Sequence, residues 1–129
     1  MRIAVLGAGA WGTALAIAFA ARHQVILWAR DAQRVADMAR RRENQRYLPD
    51  CPFPADLQLT ADFRAALAAA DLAILAAPLA GLRSLLEQLK AAAPALPFLW
   101  ACKGLEAGSG LLPHQVVAEV MGDAACGVL

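Results

Sequence analysis

Residues 3–12 read IAVLGAGAWG, and this stretch decides the fold. Ile3 to Leu6 is an unbroken apolar run of about strand length, closed by Gly7. Uniform rather than alternating apolarity marks a strand covered on both faces, the habit of parallel sheets. Gly7, Gly9 and Gly12 follow with the spacing G-x-G-x-x-G. In such a loop the first glycine permits a tight turn and the second lets a pyrophosphate approach the backbone. The third allows a helix to pack closely on the strand. Trp11 to Ala21 is alanine-rich and carries Leu15, Ile17 and Phe19, so a helix is predicted there. Its first turn would offer unpaired N–H groups and the positive end of the helix dipole to an anion.

The alternation continues outward from this stretch. Val25 to Trp28 predicts a second strand, and Asp31 an N-cap for a helix to about Arg41. Strand, helix, strand and helix in succession open an α/β fold of the Rossmann type, a doubly wound parallel sheet. Pro49, Pro52 and Pro54 exclude a regular helix or central strand between Arg42 and Asp56. Leu57 to Leu59 predicts a third strand, with Thr60 capping a helix through Ala69. Asp71 to Ala77 predicts another buried strand, closed by Pro78. Ala80 to Ala92 is amphipathic, with Leu82, Leu85, Leu86 and Leu89 on one side and Arg83, Glu87 and Lys90 on the other. Pro97 to Cys102 reads as a fifth strand, and Pro113 to Met121 as a helix with proline in its first turn. Ala125 to Leu129 reads as the start of one more strand. A single domain, residues 1–129, cut from a longer chain, is expected.

Composition narrows the function classes. The chain has 129 residues, of which 60% are hydrophobic and 18% charged, a balance that excludes disorder. Twelve basic residues stand against 11 acidic ones, and a net charge of +1 argues against a nucleic-acid partner. Cys51, Cys102 and Cys126 are scattered without metal-ligand spacing, so no metal is expected and the thiols read as reduced and intracellular. No apolar run approaches the ~18 residues of a membrane span. The N-terminal apolar run meets Gly7 too early for a secretory signal, and a cytoplasmic location is expected.

Three further places draw attention. Past the second strand, where an acid usually meets the ribose of NAD, the chain reads Leu27-Trp28-Ala29-Arg30-Asp31. Arg30 could grip a 2′-phosphate or stack on adenine, and Asp31 could cap the next helix or accept from a ribose hydroxyl. NADP is therefore favoured over NAD. Arg40, Arg41 and Arg42, with Arg46 after them, either add positive potential there or form a solvated helix end, the more usual role. Lys103 directly follows a buried strand, where ligands of open α/β sheets lie. Cys102 beside it is expected in the core. His23 and His114 are expected to be structural or exposed. Neither a nucleophile elbow nor a carboxylate pair is found.

With these residues assembled, the sequence resembles the bacterial NAD(P)-dependent glycerol-3-phosphate dehydrogenases. The matching pieces are GAGAWGTALA at 7–16, LWARD at 27–31, ENQRYLPDCPFP at 43–54, LAILAAPLAGLR at 72–83 and WACKGLEAGSGLL at 100–112. Cys102 stands where Thr or Ser is common, and residues 77–80 lack the usual Ser after proline. The resemblance implies reversible reduction of dihydroxyacetone phosphate to sn-glycerol 3-phosphate, feeding phospholipid synthesis. It implies that Gly7, Gly9, Ala10, Trp11, Gly12, Arg30 and Tyr47 border an NADP or NAD cofactor, and that Lys103 contacts cofactor and substrate. It places the general acid–base lysine and most substrate-binding groups on a C-terminal helical domain, leaving no catalytic residue within this stretch. It also implies a homodimer for the whole enzyme. A ketopantoate reductase or 6-phosphogluconate dehydrogenase relative would share the fold, but the YLP and KGLE segments argue against both. A non-catalytic NADP(H)-binding module is the remaining alternative.

Overall fold

Burial of both faces of one apolar strand organises the molecule. In the computed structural model, which describes residues 1–129, β1 (Arg2–Leu6) lies inside a six-stranded, wholly parallel sheet. The other strands are β2 (Gln24–Trp28), β3 (Gln58–Thr60), β4 (Leu72–Leu75), β5 (Phe98–Trp100) and β6 (Cys126–Val128), in the order β3-β2-β1-β4-β5-β6. Parallel neighbours need crossovers, supplied by helices α1 (Ala10–Ala20), α2 (Ala32–Arg41), α3 (Phe63–Leu67), α4 (Leu82–Ala92) and α5 (Pro113–Met121). This is the doubly wound fold that the sequence predicts.

The side chains of β1 divide between two cores. Ile3 and Val5 join Ala16, Ala20, Leu27 and Met38 beneath α1 and α2. Ala4 and Leu6 join Leu82, Leu86, Leu89, Phe98 and Val116 beneath α4 and α5. A strand with a core on each side has no polar face, which explains its continuous apolarity.

The structure shortens or shifts several predicted elements. Thr60 does not cap α3: it ends β3, and its hydroxyl accepts from the Asp62 N–H at 3.0 Å. Asp62 is the cap, accepting from the Ala65 N–H at 3.1 Å, and the helix stops at Leu67 rather than Ala69. β4 ends at Leu75, before Ala76 and Ala77 turn beneath the glycine loop, and β5 keeps only the middle of its predicted span. Residues Leu79–Gly81 form a 3-10 turn ahead of α4. Cys102, expected in the core, is half-buried at its edge, and desolvation raises its thiol pKa.

The tightest contact is made by backbone. A Cβ placed on Gly12 would lie 2.0 Å from the Gly7 carbonyl oxygen and 3.0 Å from the Ala76 Cβ. No rotamer relieves such a clash, so α1 would have to retreat from β1. Gly12→Ala is expected to cost about 3 kcal/mol, near the upper end of the usual overpacking range. Thermal unfolding measures it, and an unchanged midpoint would disprove the tight approach.

Candidate cofactor-binding site

β1 and β4 are the neighbours between which the strand order reverses, and a crevice opens beyond the carboxyl ends of strands at such a point. Gly7 turns there with φ +122°, and a Cβ on it would lie 2.9 Å from the backbone of Ala76 and Ala77. Gly9 differs. Its backbone is extended (φ −78°, ψ −170°), and a Cβ on it would meet nothing within 4 Å. Two glycines thus close the backbone together, while the middle one leaves an open approach. Gly9 is the N-cap of α1, makes no side-chain cap bond, and is followed by no acid in the first turn. The positive helix end is left for an outside anion. Ala10 and Trp11 stand exposed beside it, Trp11 by 59%.

The structure resolves the two options for Asp31. Its carboxylate accepts from the N–H groups of Gln33 (2.9 Å) and Arg34 (3.4 Å), so it caps α2. Arg30 is exposed and makes neither a side-chain hydrogen bond nor an ion pair. Of the basic run, Arg40 and Arg41 pair with Asp37, which lowers that carboxyl's pKa, chiefly through the bond to Arg41. Arg42 instead turns inward in the left-handed conformation (φ 54°) and donates to the carbonyls of Pro54 (2.6 Å) and Leu57 (2.9 Å). It closes the base of the proline-rich loop.

That loop brings Tyr47 to the glycine turn through residues that sequence reasoning missed. The Asn44 carboxamide donates to the Ala8 carbonyl (3.0 Å) and to the Thr13 hydroxyl (2.9 Å), and Asn44 is only 1% exposed. Arg34 donates to the same Ala8 carbonyl at 3.1 Å. The guanidiniums of Arg34 and Arg46 lie 4.9 and 5.1 Å from the centre of the Tyr47 ring. An asparagine just past a helix end, before the proline-rich loop, carries no periodic signal. Only its burial identifies it.

Lys103 stands exposed beyond β5, at the carboxyl edge of the sheet. Its loop lies against the one after β4: Gly104 has φ +105°, and a Cβ on it would sit 3.4 Å from Leu79 Cδ2. Glu106 anchors the loop, receiving both Arg83 Nε and Nη2 at 2.9 Å, while Arg83 also reaches Glu119 of α5 at 2.7 Å. The Arg83 bonds, aided by the Ser109 hydroxyl, hold the Glu106 pKa at about 2. Of the two histidines, His114 is exposed, and His23 packs near Phe19 with its Nδ1 buried and unpartnered. Two hollows of about 570 Å³ each lie toward the opposite ends of the strands, around Arg2, Gln24 and Asp56.

Residues 2–129 match the family model described as the NAD-dependent glycerol-3-phosphate dehydrogenase N-terminus. The chain belongs to this family. It is 62% identical over its whole length to a glycerol-3-phosphate dehydrogenase [NAD(P)+] of Aromatoleum aromaticum, covering 40% of that protein. A second such protein, from Dechloromonas aromatica, is 52% identical, again over the whole chain and 40% of its own length. Among solved structures, glycerol-3-phosphate dehydrogenase from Coxiella burnetii superposes with a TM-score of 0.90 at 36% identity, over 98% of this chain and 39% of that one. The chain therefore spans about 40% of the curated relatives it matches. The glycine loop fits an NAD(P) pyrophosphate, with open space at Gly9 and an uncapped helix end.

Two outcomes follow from this geometry. Gly9→Val is expected to leave the domain folded, at a cost of about 1 kcal/mol for the poorer N-cap, because its Cβ meets no protein atom and its φ is ordinary. It should nevertheless abolish NADH and NADPH binding, read by nicotinamide fluorescence; unchanged affinity would refute the assignment of the loop. The second concerns acid. Because the Glu106 carboxyl titrates lower folded than unfolded, its stabilising contribution is present above ~4.5 and lost as pH falls toward about 2. Amide protection factors, corrected for the intrinsic pH dependence of exchange, should fall in residues 103–111 over that window ahead of the sheet, and Glu106→Gln should show the same loss of protection at neutral pH.

Proposed function

We propose that this chain is the coenzyme-binding domain, residues 1–129, of an enzyme that interconverts dihydroxyacetone phosphate and sn-glycerol 3-phosphate with NAD(P)H, in glycerophospholipid synthesis. The support is identity of 62% along the entire chain to a relative bearing that enzyme's name, together with a glycine loop shaped for a pyrophosphate. The bound nicotinamide supplies a hydride to the ketone carbon. Gly7, Gly9, Ala10, Trp11 and Gly12 hold the cofactor backbone, with Tyr47 beside them. Lys103, exposed at the carboxyl edge of the sheet, is the group proposed to contact cofactor and substrate.

One lysine cannot both neutralise a dianionic phosphate and deliver a proton to the developing alkoxide. Catalysis needs both an oriented substrate and a positioned acid. The 129 residues alone are accordingly proposed to bind cofactor without turnover. The whole enzyme is proposed to be a cytoplasmic homodimer acting on a small molecule, without a nucleic-acid partner.

NADPH is proposed as the preferred cofactor. Arg30 is exposed and unpaired, and Asp31, the alternative ribose acceptor, is engaged on the helix backbone. Arg30→Ala should weaken NADPH binding by about 1–3 kcal/mol, the range for a charge-assisted hydrogen bond, and NADH binding hardly at all. Equal losses for the two cofactors would mean that Arg30 only stacks on adenine. In a coupled assay with dihydroxyacetone phosphate, the chain should oxidise no NADPH beyond the buffer rate. Turnover within tenfold of a complete family enzyme would show that the acid and phosphate-binding groups are already present.

A further inference from the structure

Among the buried residues only two carry polar side chains, Thr13 and Asn44, and they are hydrogen-bonded to each other. A buried polar pair in a small domain is costly unless every group is satisfied. Here the second proton of the Asn44 carboxamide goes to the Ala8 carbonyl, inside the glycine loop. Arg34 brings a further donor to that same oxygen. One loop carbonyl thus accepts from two side chains of different segments, one on α2 and one on the loop that bears Tyr47.

The consequence lies on the other side of the same peptide unit. The chain has no cis peptide bonds, so the Ala8 C=O and the Gly9 N–H belong to one planar trans unit and point in opposite directions. Fixing the oxygen fixes the N–H. No protein group accepts from the Gly9 N–H, although the Gly9 carbonyl accepts from Thr13 N–H at 3.0 Å. Of the two residues flanking that unit, Ala8 and Gly9, Gly9 lacks a Cβ and resists rotation little, so bonds from outside the loop add to what holds it.

We propose that Asn44, assisted by Arg34, is a positioning residue for the cofactor: it locks the Ala8–Gly9 peptide so that the Gly9 N–H is presented to the pyrophosphate, and it docks the Tyr47 loop in the same bond. The proposal rests on the glycine loop being the cofactor site. Asn44 itself needs no contact with the ligand. A carbonyl doubly held before binding removes the ordering cost that a flexible glycine loop would otherwise impose on the complex.

The test uses the 129-residue chain and its Asn44→Asp and Arg34→Met variants, titrated with NADH and with NADPH. Asn44→Asp keeps shape but turns an acceptor toward the Ala8 oxygen. Arg34 is only half-buried, so Arg34→Met preserves the fold if the first variant does not. Leu89→Ala, a core truncation in α4, controls for lost stability alone. Expected are at least a tenfold weakening of both cofactors in Asn44→Asp, about threefold or more in Arg34→Met, and less than twofold in Leu89→Ala despite its lower midpoint. The Gly9 amide proton should shift on NADH addition in the parent chain and not in Asn44→Asp. Affinities within twofold of the parent in a folded Asn44→Asp or Arg34→Met variant would overturn the proposal while leaving the cofactor site intact. Failure of the parent chain to bind either cofactor would overturn the site itself, and the proposal with it.

Discussion

Three stretches of backbone meet at the end of β1, and the rest of the domain is arranged around that meeting. The Gly7 carbonyl oxygen lies where a Cβ of Gly12 would be, and Gly7 itself lies against the backbone of Ala76 and Ala77. The first turn of α1, the end of β1 and the exit from β4 are therefore within backbone contact. Side chains cannot mediate such an approach, so glycine is required on two of the three surfaces. What the closeness secures is direction: the N-terminus of α1 is aimed beyond the sheet, so its dipole and free N–H groups face away from the core.

Around this junction the domain uses charge sparingly. Pairs on the helix surface, such as Asp37 with Arg40 and Arg41, are exposed and contribute little. The basic groups that matter point at backbone. Arg42 gathers two loop carbonyls, and Arg34 takes a third from the glycine loop. Because a guanidinium has five donors in a planar fork, one arginine can hold several strands of irregular chain that have no ladder of their own. A loop rich in proline lacks the N–H groups for self-pairing, and this one borrows donors from the helix before it.

The Arg83–Glu106–Glu119 cluster does the same for the Lys103 loop, joining α4, the loop and α5. Loops at the ligand-binding edge of such folds carry function, and their positions must be held by the scaffold. Here the holding groups sit several residues away from the lysine, which leaves Lys103 itself unencumbered.

Much of the architecture is legible in the sequence. Apolar runs at Ile3–Leu6, Val25–Trp28 and Asp71–Ala77, separated by patterned helices, dictate parallel strands because no alternation leaves a face for water. The glycine spacing dictates where an anion could approach, and Asp31 announced its helix. Thr60 misled, because a hydroxyl and a carboxylate two residues apart are equally good caps in sequence, and only the path of the chain after β3 selects Asp62. Asn44 and Arg34 were invisible for a deeper reason. Their partner is the Ala8 carbonyl, 36 and 26 residues away, and a backbone oxygen has no letter in the sequence. Local pattern therefore determined which elements form and where a phosphate could bind. Tertiary packing alone decided which side chains steady that loop, because hydrogen bonds between distant segments exist only once the two cores have closed around the sheet.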